Sequence, residues 1–260
     1  MKLTTIEQVQ KTVGKLPAPR DLKVIDYIDE HAKRWLSYAR FAFIALGKAG
    51  RIKLSAAGGE EGFVSASDPK HLLIPLTALE TENTVEIDSS FGALFIVSGM
   101  DETLRVNGKV SGITDGLLTL RVEECYLHCA KAFRRSSFWE PQSQEKSHDE
   151  ISRFVKQSKF LGLASINNSG QADVSPKGDL ENFLIQEEDG FIGLADRPGN
   201  RRIDSFRNII EQQAVSIIAM VPGCNDILEL QGTAELFTDE HLLEQFTVQG
   251  KEPTVVTKIT

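Results

Sequence analysis

Four arginines stand in the string DRPGNRRIDSFRN, and three of them, Arg197, Arg201 and Arg202, gather at its start. An apolar, strand-like run over residues 191–195 precedes them, and a helical pattern with Ile203, Phe206, Ile209 and Ile210 on one face follows. Cations gathered at the positive end of a helix dipole are unfavourable by about 0.3–1 kcal/mol. An anion reverses that sign, because free backbone N–H groups and guanidinium forks both point at it. The string therefore reads as a phosphate seat, with a solvated basic turn as the alternative.

A second cluster, Cys125, His128 and Cys129, has spacings that would share one face of a helix, and thiolate with imidazole suits zinc. No second CxxC or HxxxH accompanies it, and residues 117–122 before it look like a strand. The expectation is a buried strand end with no metal. No GxSxG elbow, GxxxxGK[ST] loop or GxGxxG turn occurs, so hydrolase, nucleoside-triphosphate and Rossmann chemistry have no support here.

The composition is that of a globular protein. Of 260 residues 41% are hydrophobic and 25% charged. A net charge of −8 disfavours nucleic acid or an anionic membrane as partner. Three cysteines give no disulfide framework, no signal-peptide core opens the chain, and no apolar run reaches membrane-spanning length. The expected location is cytoplasmic.

The elements that must position the arginines recur twice. RIKLSAAGGEEGFV (51–64) aligns without gaps with QADVSPKGDLENFL (171–184), pairing Ser55 with Ser175, Gly58 with Gly178, Glu61 with Glu181 and Phe63 with Phe183. Upstream, Arg40-Phe41 falls opposite Lys159-Phe160; downstream, Gly99, Leu104 and Gly108 fall opposite Gly223, Leu228 and Gly232. Their common order points to an internal duplication, and two copies suggest a pseudo-dimer rather than a solenoid. Each half reads as an amphipathic helix (24–38 and 147–158), the second with Ser147 and Glu150 as a capping box. Short strands follow, at 41–46, 72–74, 93–97, 103–107 and 117–122, then at 160–165, 191–195, 214–221 and 227–231. Many short strands with Gly-rich turns predict small β-barrels. The polar stretch 142–146 is the natural linker between a first unit, 1–141, and a second, 147–260.

The strings ADVSPKGD (172–179), ADRPGNRRIDSFRNI (195–209) and MVPGCNDILELQGTAEL (220–236) resemble the pyridoxamine 5′-phosphate oxidase-like family of FMN-binding split barrels. In the first half, MDETLRVNGKV (100–110) and VEECYLHCAKAFRRSSFWEP (122–141) resemble other parts of that pattern. The resemblance implies a mainly β fold with flanking helices, built as two tandem split barrels packed as an intramolecular pseudo-dimer. It implies FMN in the cleft between barrels and oxidoreductase activity on a small-molecule substrate with an electron donor. It leaves open a non-catalytic flavin- or haem-binding or sensing module, F420 in place of FMN, and a further homodimer.

Carried over residue by residue, the resemblance implies a seat of Arg197, Asn200, Arg201, Arg202 and Ser205, with Arg207 at its margin. Ser175 and Lys177 would lie near the flavin on an SPKGD turn, and the tail of the opposite barrel would bring Arg134, Arg135, Ser136 and Trp139. Catalytic residues are not assigned. The first half departs from the pattern: IPLTALETENTVEIDSS (74–90) has no basic residue where the seat should be, and SAAGG (55–59) lacks the lysine. Glu80, Glu82 and Glu86 there would weakly repel a phosphate. The second half has no match to CAKAFRRSSFW and stops at 255–260, where the tail strand should begin. Each half keeps what the other lacks, so the expectation is one complete cleft per chain.

Overall fold

The computed structural model describes residues 1–18, 22–80, 85–128, 131–140, 151–188 and 190–260. The expected linker, the Ser147–Glu150 capping box, Glu82 and Cys129 lie outside the described residues.

The chain is mainly β and forms two antiparallel sheets. In the first, β2 (Phe41–Lys48), β3 (Arg51–Gly58), β4 (Ser65–Asp68), β5 (His71–Pro75), β6 (Ser90–Ile96), β7 (Thr103–Thr114) and β8 (Leu117–His128) run in the order β3-β2-β6-β7-β8-β5-β4. In the second, β9 (Phe160–Ile166), β10 (Ala172–Gly178), β11 (Ile185–Glu188), β12 (Phe191–Asp196), β13 (Ala214–Met220), β14 (Ile227–Phe237) and β15 (Val255–Ile259) run in the order β10-β9-β13-β14-β15-β12-β11. The two orders are the same permutation. Gly108 and Gly232 also hold matching places: a Cβ on either would press a backbone carbonyl of the neighbouring strand, Arg121 O at 2.0 Å and Thr260 O at 2.5 Å.

Side chains alternate between faces of a strand, and that alternation divides the core into three. On β2, Ala42, Ile44 and Leu46 enter the first sheet's own core, whereas Phe43 and Ala45 enter a shared one. On β9, Leu161 and Leu163 enter the second sheet's core, and Phe160, Ala164 and Ile166 the shared one. The shared core closes the pseudo-dimer. Gly162 lets Phe43 and Leu54 approach, and Gly92 lets the backbone of Asp173 approach. A strand buried on both faces reads as a continuous apolar run, as FAFIAL does.

Several elements differ from expectation. The helix expected over 24–38 is α2 (Glu30–Tyr38), because Ile25 bridges Cys125 and Asp29 caps the helix by accepting from Ala32 N at 2.7 Å. The strands run longer than expected; β7 and β8 have 12 residues each. SPKG is not a turn but the end of β10, an edge strand, where Pro176 is tolerated. Residues 255–259 are the strand β15, so the second sheet has its tail strand. Strand β1 (Lys2–Leu3) pairs with β14, and α1 (Ile6–Val13), opened by a Thr5–Gln8 capping box, buries Val9 in the second core. The N-terminal end of the expected 1–141 unit thus packs on the second sheet. Helices α3 (Lys131–Ser136) and α5 (Asp204–Glu211) bear on the site, whereas α4 (Ile151–Gln157) packs against β11.

Candidate functional site

The seat forms where α3, carried by the end of β8, meets β10 and the loop between β12 and α5. A cavity of about 70 Å³ is lined there by Ser175, Lys177, Arg197, Asn200, Arg201, Arg202 and Ser205 of the second half. Lys131, Arg135 and His128 reach it from the first half. Gly178 explains how the halves meet: a Cβ there would lie 2.2 Å from the carbonyl oxygen of Ala132 on α3.

The basic groups are held unequally. Arg197 is half-buried, with its side chain 8% exposed; its guanidinium pairs with Asp179 and donates to Lys251 O at 3.1 Å and Phe246 O at 2.6 Å. It anchors the loop and presents little to a ligand. Lys177 pairs with Asp196 and stands 4.9 Å from the Phe206 ring centroid. Asn200 Oδ1 accepts from Arg202 N at 2.9 Å, and its amide lies 3.3 Å from His128 Nε2. Arg201 takes a positive φ of 63°, leans on Gly14, and has no ion pair among the described residues. Lys131 Nζ reaches Gly199 O at 3.4 Å, and Arg135 donates to Pro198 O. Arg207 is exposed and lines two other cavities instead.

The dipole reading of the arginines changes with the structure. The α5 terminus carries its own anion, Asp204, in the first turn. Arg202 Nη1 stands 3.7 Å from Asp204, and its guanidinium lies over Tyr126 at 4.2 Å. Part of the charge that seemed to demand a ligand is therefore answered from within.

Arg105 on β7, which sequence reasoning missed, lies behind the seat with its side chain 1% exposed. It contacts Asp173 at 2.7 Å, Asp204 at 3.2 Å, Tyr126 Oη at 2.8 Å and Ser175 Oγ at 3.2 Å. Ser175 in turn donates to Asp173 at 2.9 Å, so it belongs to this buried network while lining the cavity. Burial would lower the Arg105 guanidinium, but Asp173, Tyr126 and Asp204 together raise it. Burial pushes the Asp173 carboxyl up and Arg105 pulls it back down. Tyr126 is pushed up chiefly by burial. No local periodicity marks Arg105, whose partners lie 21 to 99 residues away.

Of the expected tail residues only Arg135 lines the cavity. Arg134 is exposed and bonds Asp101 at 3.2 Å. Ser136 is fully buried and donates to Phe133 O within its own helix. Trp139 lines neither the seat nor the chamber beside it; it packs on Phe133 and Phe138 and donates to Met100 O at 2.9 Å. These side chains hold the tail in place because the apolar faces of Phe133, Phe138 and Trp139 complete the shared core.

A larger chamber of about 890 Å³ adjoins the seat and shares His128, Asn200 and Arg202 with it. Its walls include Trp35 and Tyr38 of α2, Tyr126 of β8, and Met100. Cys125, another wall residue, is on a strand rather than a helix, and burial pushes its thiol up to about 12. Among the described residues no group of three His, Cys, Asp or Glu side chains could hold a metal ion. In the first half Glu86, offered as a repelling charge, pairs with Lys48 at 3.0 Å. No helix among the described residues is long and apolar enough to cross a membrane.

No curated protein matches the sequence. Among solved structures, General Stress Protein 26 from Bacillus anthracis str. Sterne is 17% identical, with 42% of this chain and 84% of that one covered at a TM-score of 0.33. HupZ from Group A Streptococcus is 16% identical, with 44% and 88% covered at 0.34. The Bacillus subtilis inhibitor of motility MotI/DgrA is 11% identical, with 86% and 88% covered at 0.25. At such scores nothing is inferred from these likenesses. The sequence profile of pyridoxamine 5′-phosphate oxidase, in contrast, matches residues 147–260. That match, 114 of 260 residues, contains β10 and the arginine loop, so the second half of the chain is similar to the pyridoxamine 5′-phosphate oxidase-like family.

Proposed function

We propose that the chain is an FMN-binding flavoprotein, with one cofactor per chain seated between its two sheets, and that it acts as an oxidoreductase on a small molecule. One observation carries the reading: Lys177, Arg201 and Arg202 of the second half and Lys131 and Arg135 of the first converge on a single small cavity. At about 70 Å³ that cavity suits a phosphate and not a ring system. The ring fits only in the adjoining chamber, whose volume lies within the ~300–1,000 Å³ of small-molecule sites. Guanidinium forks suit a phosphomonoester, which carries nearly two negative charges.

The division of labour among the residues follows from their contacts. Arg201, with no ion pair among the described residues, and Arg202, which lines both the seat and the chamber, would take the phosphate oxygens. Arg135 and Lys131 would close over it from α3. Arg197 would keep the loop in place from behind, and Arg202, stacked on Tyr126, would present its flat guanidinium at the mouth of the chamber. When bound, the flavin would supply the redox chemistry; the protein supplies position and electrostatics. The common strand order supports reading the halves as duplicated units, 1–141 and 147–260, the first having lost its seat.

Absorbance of the purified protein tests the reading first: a flavin spectrum supports it, and a haem Soret band or no uptake of added FMN contradicts it. The double substitution Arg201→Glu and Arg202→Glu should then weaken FMN binding by at least about 100-fold, roughly 2.7 kcal/mol, while the far-UV circular dichroism stays unchanged. Unaltered affinity would remove the seat.

A further inference from the structure

We infer that the chamber beside the seat binds a planar aromatic carboxylate, held by the face that α2 turns into it. His31, Arg34, Trp35 and Tyr38, spaced by three, one and three, all line this one cavity. Helix α2 therefore offers a built surface and not one stray side chain. Three observations specify the ligand.

The first is shape: Trp35 and Tyr38 wall the chamber, and aromatic faces select flat rings. The second is an apolar lining. Ile25, Val97, Met100 and Leu104 also line the chamber, so the ring body of a ligand would be desolvated there. The third is charge. Lys23, His31 and Arg34 line the chamber with Asp29 and Glu102. The Asp29 carboxylate is engaged in capping α2, accepting from Ala32 N. Glu102 comes from the connection before β7 and opposes an anion on its own side. A carboxylate is thus favoured beside Arg34, whose fork matches it.

The chamber also joins the seat through His128, Asn200 and Arg202, so such a ligand would lie next to a flavin ring. Its role as the flavin's reaction partner rests on the function proposed above; its binding does not.

Calorimetric titration of the full chain with 2-naphthoate, with and without saturating FMN, tests this. One site per chain is expected, with the neutral 2-naphthamide bound about tenfold more weakly. Arg34→Glu should weaken naphthoate about tenfold and leave naphthamide unchanged, since one exposed charge contact is altered. Trp35→Ala should weaken both, by loss of the aromatic wall. Should either variant fail to fold, Glu102→Gln provides the check and should tighten naphthoate. No binding by the wild type, or naphthoate affinity indifferent to both Arg34→Glu and Glu102→Gln, would overturn the inference. Naphthoate binding without FMN uptake would leave the chamber standing and remove the flavin reading; FMN uptake without naphthoate binding would do the reverse.

Discussion

Arg105 contributes to stability by satisfying two carboxylates of the other half at once, Asp173 on β10 and Asp204 on α5. Removing one member of a buried ion pair strands the other charge, at about 3–5 kcal/mol, whereas replacing both can be nearly neutral. Arg105→Met should accordingly be destabilised by about that amount in urea unfolding, and Arg105→Met with Asp173→Asn should recover most of it. Equal stability of the single and double variants would contradict the pairing. Cys125 gives a pH signature. Its thiol keeps a proton above the pH at which the unfolded chain releases it, so its contribution is complete below about 9 and is lost as pH rises toward about 12. Cys125→Ala should therefore flatten the fall in melting temperature over that alkaline window; an identical fall would contradict it. At this scale the sequence exposed the loop arginines, because a run of like charges beside a helix start is visible locally. Arg105, Lys131 and His128 were not singled out as seat residues, because their roles arise only when distant strands meet.

The contact between α3 and β10 is the element on which the composite site depends. Gly178 faces the Ala132 carbonyl oxygen so closely that any side chain must push the helix away. Gly178→Ala should lower the melting temperature and weaken FMN binding together, since Arg135 and Lys131 ride on α3. Trp139→Phe should lower the melting temperature while leaving FMN affinity within about twofold, because Trp139 packs the tail and does not line the seat. A large loss of affinity would return Trp139 to the site. Helices and strands with one dominant period were legible: α5 and β2 fall where their patterns put them. Strands β3, β4, β10 and β11 were not, because AAG, SASD, SPKG and IQEE carry weak β-propensity and owe their conformation to ladder partners. The length of β7 and β8 was hidden for a related reason. Their outer halves, such as Ser111 to Thr114, are largely exposed and polar, and pairing across the ladder carries them.

For the whole molecule, the two sheets share a strand order and a common apolar layer, yet their halves contribute unequally to the lining of one small cavity. The repeat in the sequence was enough to expect two similar units. It could not reveal that β1 and α1 cross to the second sheet, since two and eight residues carry too little pattern to assign. Nor could it separate tail residues that line the seat from those that fill the shared core. The unequal halves have one quantitative consequence, a ligand stoichiometry below the number of barrels. Native mass spectrometry of the FMN-saturated protein measures it directly. One FMN per 260-residue chain in the wild type, and none after Arg201→Glu with Arg202→Glu, is the expected result. Two per chain, none in the wild type, or one retained by the double variant would contradict a single seat built jointly by the two halves.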